Sequence, residues 1–152
     1  MEELFANKKA TAALSPQPLS EIKLVVKGIE ADIMSFVPEA LIVDIEETPG
    51  GVLTGCAPGG ASWGSNTSAI VTRQPDLGEL VDDLRAGWSR ADQFEFELTK
   101  GSTGEPRLVL RSEALGNYYV ERIQEYLQVA SFSTCFAYDE KRDGYAWEIA
   151  AE

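Results

Sequence analysis

Hydrophobic residues recur at helical spacing in two segments of the chain. In residues 20–37 they return every three or four positions until Pro38, and Ser20 is the expected N-cap. In residues 75–89 the same spacing forms one stripe, and Asp76 and Glu79 lie near the start, where the helix dipole favours negative charge. The pattern predicts two amphipathic helices, with apolar residues Ile22, Val25, Val26, Ile29, Ile33, Phe36 and Val37 in the first and Leu77, Leu80, Val81, Leu84 and Trp88 in the second.

Strand patterns lie between and after these helices. Residues 40–47 (ALIVDIEE) and 67–73 (TSAIVTR) are rich in branched apolar residues, which favours strands. In residues 94–98 (FEFEL) apolar and acidic positions alternate, the period of a half-buried strand. The glycine-containing turn at 101–106 leads into RLVLRS, so these last two runs predict a hairpin.

Three further segments are less clear from their pattern. Residues 55–68 (GCAPGGASWGSNTS) are rich in glycine and are interpreted as a loop between the first two strands. Residues 117–134 fit a helix in part, but their aromatic and branched content favours two strands. Residues 136–138 and 145–149, separated by DEKRDG, are interpreted as a last hairpin.

The element order α-β-β-α-β-β-β-β predicts an α+β fold. We expect a mainly antiparallel sheet of about five to seven strands with the two helices packed on one face. Residues 1–14 are expected to form a polar lead-in or tether, and residues 15–152 a single domain. The sequence contains no internal repeat and no linker that would divide it.

Composition and charge exclude some classes of binding partner. The chain has 152 residues, 44% of them hydrophobic, and a net charge of −12. Nucleic acids and anionic membranes both select for clustered Lys and Arg, so neither is an expected partner. A basic protein partner remains open, as does the simpler interpretation that the acidic residues keep the surface soluble.

The residue inventory argues against an enzyme. The chain has no histidine, which excludes Ser-His-Asp and Cys-His catalysis and restricts a zinc site to cysteine and carboxylate ligands. The glycines at 55–64 run into a strand without a lysine and do not match a phosphate-binding loop. Acidic pairs such as Asp82 and Asp83 fall on predicted solvent faces. We therefore expect no catalytic residue, no metal and no cofactor.

Cys56 and Cys135 are the two cysteines of the chain, 79 positions apart. Both lie beside predicted strands, and the spacing does not match a CxxC redox or metal pair. A disulfide is the favoured interpretation; two unrelated buried thiols and a nucleophilic cysteine are the alternatives. A disulfide would indicate an oxidising compartment and hence export, although residues 1–13 lack the basic start and apolar middle of a signal peptide.

Three aromatic residues are candidates for ligand contact. Trp63 in the glycine-rich segment and Trp147 near the C-terminus could stack on a sugar, a peptide or a lipid, although aromatic residues more often fill a core. Tyr118 is the third candidate. It and its neighbour Tyr119 point to opposite faces if they lie in a strand, so at least one of them is expected to be exposed.

Several short motifs occur in an order that resembles small secreted lipoproteins of actinobacteria. These are FVPE at the first helix end, then SWGSNTSAIVT, LRAGWS, GEPRLVLRS, YYV and SFSTCF, spread over about residues 8–138. In that family a mature domain follows a lipid-modified cysteine and a polar tether, and the family's two cysteines correspond to Cys56 and Cys135. No lipid-acceptor cysteine lies near Met1.

The cysteine placement, the missing catalytic repertoire and the resemblance together predict an exported, lipid-anchored, non-enzymatic domain of the cell envelope that binds an envelope or extracellular protein or glycan. Membrane attachment would come through the lipid alone. The alternative hypothesis is an acidic cytoplasmic protein of the immunity type, which neutralises a basic partner; the charge of −12 and the small size favour it.

Overall fold

The computed structural model describes residues 14–48, 50–101 and 103–151, and in this part of the chain the fold is α+β. Eight strands form one sheet, and every pairing between them is antiparallel. The strands are β1 Ile42–Glu47, β2 Val52–Ala57, β3 Gly60–Val71, β4 Glu95–Lys100, β5 Pro106–Ser112, β6 Gly116–Ile123, β7 Tyr126–Phe132 and β8 Phe136–Ala137. The helices are α1 Leu19–Ser35, α2 Leu77–Gly87, α3 Glu140–Asp143 and α4 Ala146–Ala151. The predicted α+β class and antiparallel sheet are confirmed.

The long strand β3 organises the sheet. The spatial order is β1-β3-β7-β6-β5-β4, while β2 continues β1 along one side of β3 and β8 continues β7 along the other. The chain therefore makes two long strands, each interrupted once, on either side of β3. The first interruption lies between Glu47 and Val52, and the second between Phe132 and Phe136.

The two longer helices cover one face of this sheet, as the hydrophobic stripes predict. Helix α1 packs on β3 and β7, and α2 packs on β4 and β5. Trp88 Nε1 donates a hydrogen bond to Asp32 Oδ2 at 3.0 Å and so ties the end of α2 to α1. Apolar side chains of both helices and the inner sheet face form one core, which includes Ile29, Leu84, Leu108, Val120 and Val129.

The opposite face of the sheet is polar, and its own arginine and aromatic side chains cover the strands. The Arg107 guanidinium lies 5.3 Å from the centre of the Tyr119 ring, and that ring meets Phe132 edge to face at 6.0 Å. Arg111 pairs with Glu97 at 2.6 Å on the same face. No helix is needed to shield this side, since arginine stems and aromatic rings cover the apolar atoms beneath them.

The segment 55–68 is the clearest correction to the sequence interpretation. It is a hairpin of β2 and β3, where a loop was predicted. The turn uses Gly59 at φ +74°, a conformation that glycine adopts without strain. Gly64 is tolerated in the central strand because the ring of its partner Phe132 lies 3.3 Å from where a Cβ would be.

The start of α1 also differs from expectation. Ser20 lies inside the helix. The N-cap is Pro18, whose side chain cannot accept a hydrogen bond. Asp143 takes the capping role from 124 positions away, since its Oδ1 accepts a hydrogen bond from Leu19 N at 3.1 Å. Its neighbour Arg142 holds the pKa of this carboxyl below its ordinary value of 3.8, and backbone N–H groups of Leu19 and Asp139 lower the pKa further.

At the C-terminus, the expected last hairpin is wrong. Phe136 and Ala137 form the short β8 against β3, and residues 146–151 are helical instead of forming a partner strand. Helix α4 packs on β2 and buries Ile149. Between residues 117 and 134 the two predicted strands are confirmed as β6 and β7.

Of the predicted lead-in, residues 1–13 lie outside the described residues, as do Pro49 and Ser102 in two predicted turns. Ser15 pairs alongside β8, with its N–H donating to Cys135 O at 3.0 Å. In the described ranges, no helix combines the length and the apolar character required to cross a membrane.

Candidate functional site

The candidate site is a groove between α1 and β1, and we call it the α1–β1 groove. It has a volume of about 430 Å³, within the range of ligand sites, and it is lined by Lys27, Ala31, Met34, Ser35, Val37, Glu39, Ile42, Ile45, Glu47 and Thr67. It exists because α1 packs on β3 and β7 and runs beside the outermost strand β1 without covering it. Apolar side chains make its floor, and the carboxylates of Glu39 and Glu47 stand on its rim.

Strand β1 is unusually exposed for its composition. Five of its six residues are exposed, and these include Val43 at 63% and Ile45 at 45%. The branched apolar residues that predict a strand here would ordinarily be expected to lie under a helix. Instead they leave an apolar strip on a protein whose net charge is −12.

One end of the groove leads to a buried ion pair. The Glu30 side chain has no exposed surface, and its Oε1 lies 2.8 Å from Lys27 Nζ. Thr67 Oγ1 donates to Glu30 Oε1 at 2.7 Å, and Ser131 Oγ donates to Glu30 Oε2. Both carboxylate oxygens are therefore occupied, as a buried charge requires.

The Lys27 ammonium reaches from α1 to the interruption between β1 and β2. It donates to Thr48 O at 3.1 Å, to Ser65 Oγ at 3.2 Å and to Asn66 O at 3.2 Å. These oxygens lie beside the strand interruption, where Asn66 O also accepts from Thr48 N and Thr48 O also accepts from Ser65 Oγ. The pair therefore joins the helix, the strand and the interruption between β1 and β2.

The second feature is the disulfide between Cys56 and Cys135, which confirms the favoured interpretation of the two cysteines. The S–S distance is 2.07 Å and the Cα atoms are 6.0 Å apart. The bridge joins the two chain segments that flank the start of β3, and it passes over Gly60. A Cβ on Gly60 would lie 2.8 Å from Cys135 Sγ, so a side chain there would force the bridge or its surroundings to shift. A structural disulfide is consistent with an oxidising compartment.

Two of the three aromatic residues predicted to contact a ligand are core residues. Trp63 and Tyr118 have no exposed surface. Trp63 faces the helix side of β3, and Tyr118 meets Phe94 edge to face at 5.8 Å. The alternative of core packing applies to both, because the β2–β3 hairpin and the register of β6 turn their side chains under the helices. Trp147 is 71% exposed, so its predicted role stays open.

Tyr118 is anchored as well as buried. Its hydroxyl donates to Leu115 O at 2.7 Å. Burial raises the pKa of the phenol well above its ordinary value of 10.0, and the negative charge of Glu30 raises it further. Tyr119, the next residue, lies on the opposite sheet face and is partly exposed, as the strand alternation predicts.

A larger cavity, of about 690 Å³, lies at the ends of the β4–β5 and β6–β7 hairpins. Arg122 lines this cavity. Its guanidinium donates a hydrogen bond to Pro75 O at 3.1 Å, and its Nη1 lies 3.8 Å from Glu105 Oε1. Glu121 also lines this cavity, and it pairs with Arg107 at 3.4 Å. The cavity mixes paired charges with loop backbone, so the α1–β1 groove is the better candidate for binding an apolar group.

Sequence reasoning missed both Glu30 and the groove. Glu30 carries a signal in the pattern, since it occupies a position one turn from Val26 and Ile33 on the apolar side of α1. A carboxylate inside an apolar stripe indicates a buried partner. The groove has no such signal, because it depends on which strands α1 covers.

Among the described residues, no three or more candidate metal ligands lie together. No protein-family model, no curated protein and no solved structure matches this chain.

Proposed function

We propose that this protein is a non-enzymatic binding domain of an actinobacterial cell envelope, exported and held at the membrane by a lipid anchor. The observation that carries the binding role is the α1–β1 groove. Exposed Ile45 beside an apolar floor is unfavourable in water, and such a surface is typical of a binding site. The disulfide supports the compartment, and the order of the sequence motifs supports the family.

The compartment is tested by the state of the cysteines in the native host. Intact cells are quenched in acid, denatured with an alkylating reagent, and the protein's mass is measured with and without prior reduction. We expect Cys56 and Cys135 to resist alkylation until they are reduced, and the protein to be found in the detergent-extracted envelope fraction. Free thiols in a protein recovered without detergent would contradict the proposal.

A second candidate function is neutralisation of a basic protein in the cytoplasm, favoured by the charge of −12 and by the acidic rim of the groove. The same measurement separates the two candidates. A cytoplasmic protein of this kind would carry reduced thiols in the cell, and it would form a complex whose affinity falls steeply with salt.

A further inference from the structure

The outer edge of β1 has unpaired backbone groups. β1 pairs with β3 on one side, and in the described ranges no strand pairs with its other side. Thr48 N donates to Asn66 O of β3, so the antiparallel alternation directs the backbone of Glu46 to β3 and that of Ile45 and Glu47 outward. Ile45 N indeed donates to the side chain of Asp44, at 2.9 Å, and not to a strand. This contact is exposed and exchangeable with water.

The side chains of β1 alternate between the groove side and the opposite side of the sheet. Ile42, Ile45 and Glu47 share the helix side of the sheet with their partners in β3 and line the groove, while Asp44 and Glu46 lie on the other side. Edge strands are commonly protected by lysine. β1 contains neither lysine nor arginine, and half of its residues are acidic.

Charge decides what can pair with this edge. Among the described residues, Lys27 is the one basic side chain that lines the groove, and it is paired with Glu30, so the lining charges without an ion-pair partner there are those of Glu39 and Glu47. Two β1 edges placed side by side would bring their carboxylates together, which disfavours a second copy of this chain. An extended segment that alternates apolar residues with Lys or Arg would place its apolar side chains in the groove and its cations beside the carboxylates.

We propose that β1 binds such a segment of a partner protein as an added strand, with its apolar side chains in the α1–β1 groove. This inference rests on the proposed binding function and names its ligand class. The backbone hydrogen bonds supply affinity, and the groove and the acidic rim supply selectivity.

The test uses short random peptides displayed on phage, selected on the oxidised protein and then synthesised for affinity measurement by fluorescence anisotropy. We expect the selected peptides to alternate apolar residues with Lys or Arg and to bind more weakly as salt increases. Methylation of alternate backbone nitrogens should abolish binding, because it removes the donors of an added strand. Acidic selected peptides, or equal binding of the methylated forms, would overturn the inference.

Matched variants locate the site. Ile45→Lys places a cation in the groove of one edge strand, and Leu98→Lys does the same on β4, the other edge strand, where Leu98 is similarly exposed at 50%. We expect Ile45→Lys to weaken binding by about tenfold or more and Leu98→Lys to change it by less than about twofold. Glu46→Lys, on the exposed opposite side of β1, should also weaken binding and serves if Ile45→Lys does not fold. Equal losses at both edges would overturn the inference.

Two further outcomes are informative. Sedimentation that shows a dimer dissociated by Ile45→Lys would mean that a second copy occupies the edge, and the inference would be wrong. Oxidised cysteines in the native envelope together with no peptide selected by β1 would leave the proposed binding domain standing and overturn the strand-addition inference alone.

Discussion

Glu30 shows how one residue connects the helical layer to the sheet. It is a fully buried carboxylate that accepts hydroxyl hydrogen bonds from β3 and β7 and pairs with Lys27 on its own helix. Lys27 keeps 23% of its side chain exposed at the groove, so the two members of the pair differ in their access to water. That asymmetry determines the response to mutation.

We expect Lys27→Met to destabilise the protein more than Glu30→Gln. Lys27→Met leaves a wholly buried carboxylate without its cation, and we expect it to lower the free energy of unfolding by about 3 kcal/mol. Glu30→Gln leaves an ammonium that can reach water, and we expect it to lower the free energy of unfolding by about 2 kcal/mol. Urea unfolding of both variants and of the double variant measures the difference. Equal losses, or a larger loss for Glu30→Gln, would contradict the proposed asymmetry.

Gly60 is the second residue with a sharply defined role. We expect Gly60→Ala to lower the free energy of unfolding of the oxidised protein by about 1–3 kcal/mol, because its Cβ would meet Cys135 Sγ at 2.8 Å and Leu14 Cδ2 at 3.1 Å. Gly55→Ala, next to Cys56, is the control, since its Cβ would meet nothing within 4 Å. Thermal unfolding that gave the two variants the same stability would show that the bridge tolerates a side chain at residue 60.

At the scale of elements, α1 depends on a distant cap. Pro18 offers no side-chain acceptor at its start, and Asp143 of α3 supplies one to Leu19 N. A helix of four residues has no independent stability, so α3 persists through such tertiary contacts. The helix N-terminus and the C-terminal segment therefore stabilise each other.

We expect Asp143→Asn to lower stability by about 1 kcal/mol near neutral pH. The pKa of Asp143 is lowered in the folded protein, so its contribution is complete above the ordinary value of 3.8 and is lost as the pH falls through the folded pKa. The difference between wild type and variant should therefore shrink in acid. Urea unfolding at neutral pH and below pH 3.8 checks this, and a constant difference would contradict a role for the carboxylate charge.

β3 shows what element prediction can and cannot do. Its glycines and serines resemble a loop by composition, yet it is a central strand because the strands on both sides supply its hydrogen bonds. Helices α1 and α2 were predictable within a few residues, because their stripes are local and proline ends the first. A local sequence pattern predicts an element whose own residues form its buried face. It does not predict an element that forms because neighbouring strands supply its hydrogen bonds.

At the scale of the whole molecule, the disulfide joins the two interrupted strands across the start of β3. Its loop is long, with a sequence separation of 79 residues. The core is nevertheless continuous and includes both helices and both halves of the sheet. We infer that the bridge adds to an already folded domain.

We expect the Cys56→Ala, Cys135→Ala double variant to fold with the same helix and strand content and to lose about 4 kcal/mol of unfolding free energy. Circular dichroism measures the first and guanidinium unfolding the second. A variant with no cooperative transition would show that the core is insufficient without the bridge. A variant as stable as wild type would show that the bridge constrains the unfolded chain very little.

The sequence by itself determined the α+β class, the two amphipathic helices and most of the strands, since these follow from periodicity and turn residues, and it favoured a disulfide between Cys56 and Cys135 over free thiols. Only the tertiary structure decided that Trp63 and Tyr118 are buried, that Glu30 has hydroxyl partners on two strands, and that β1 lies uncovered beside α1. The physical reason is that burial and exposure at these positions depend on strand register and on which strands α1 covers. Both arise from contacts between residues far apart in the chain, and no local pattern records them.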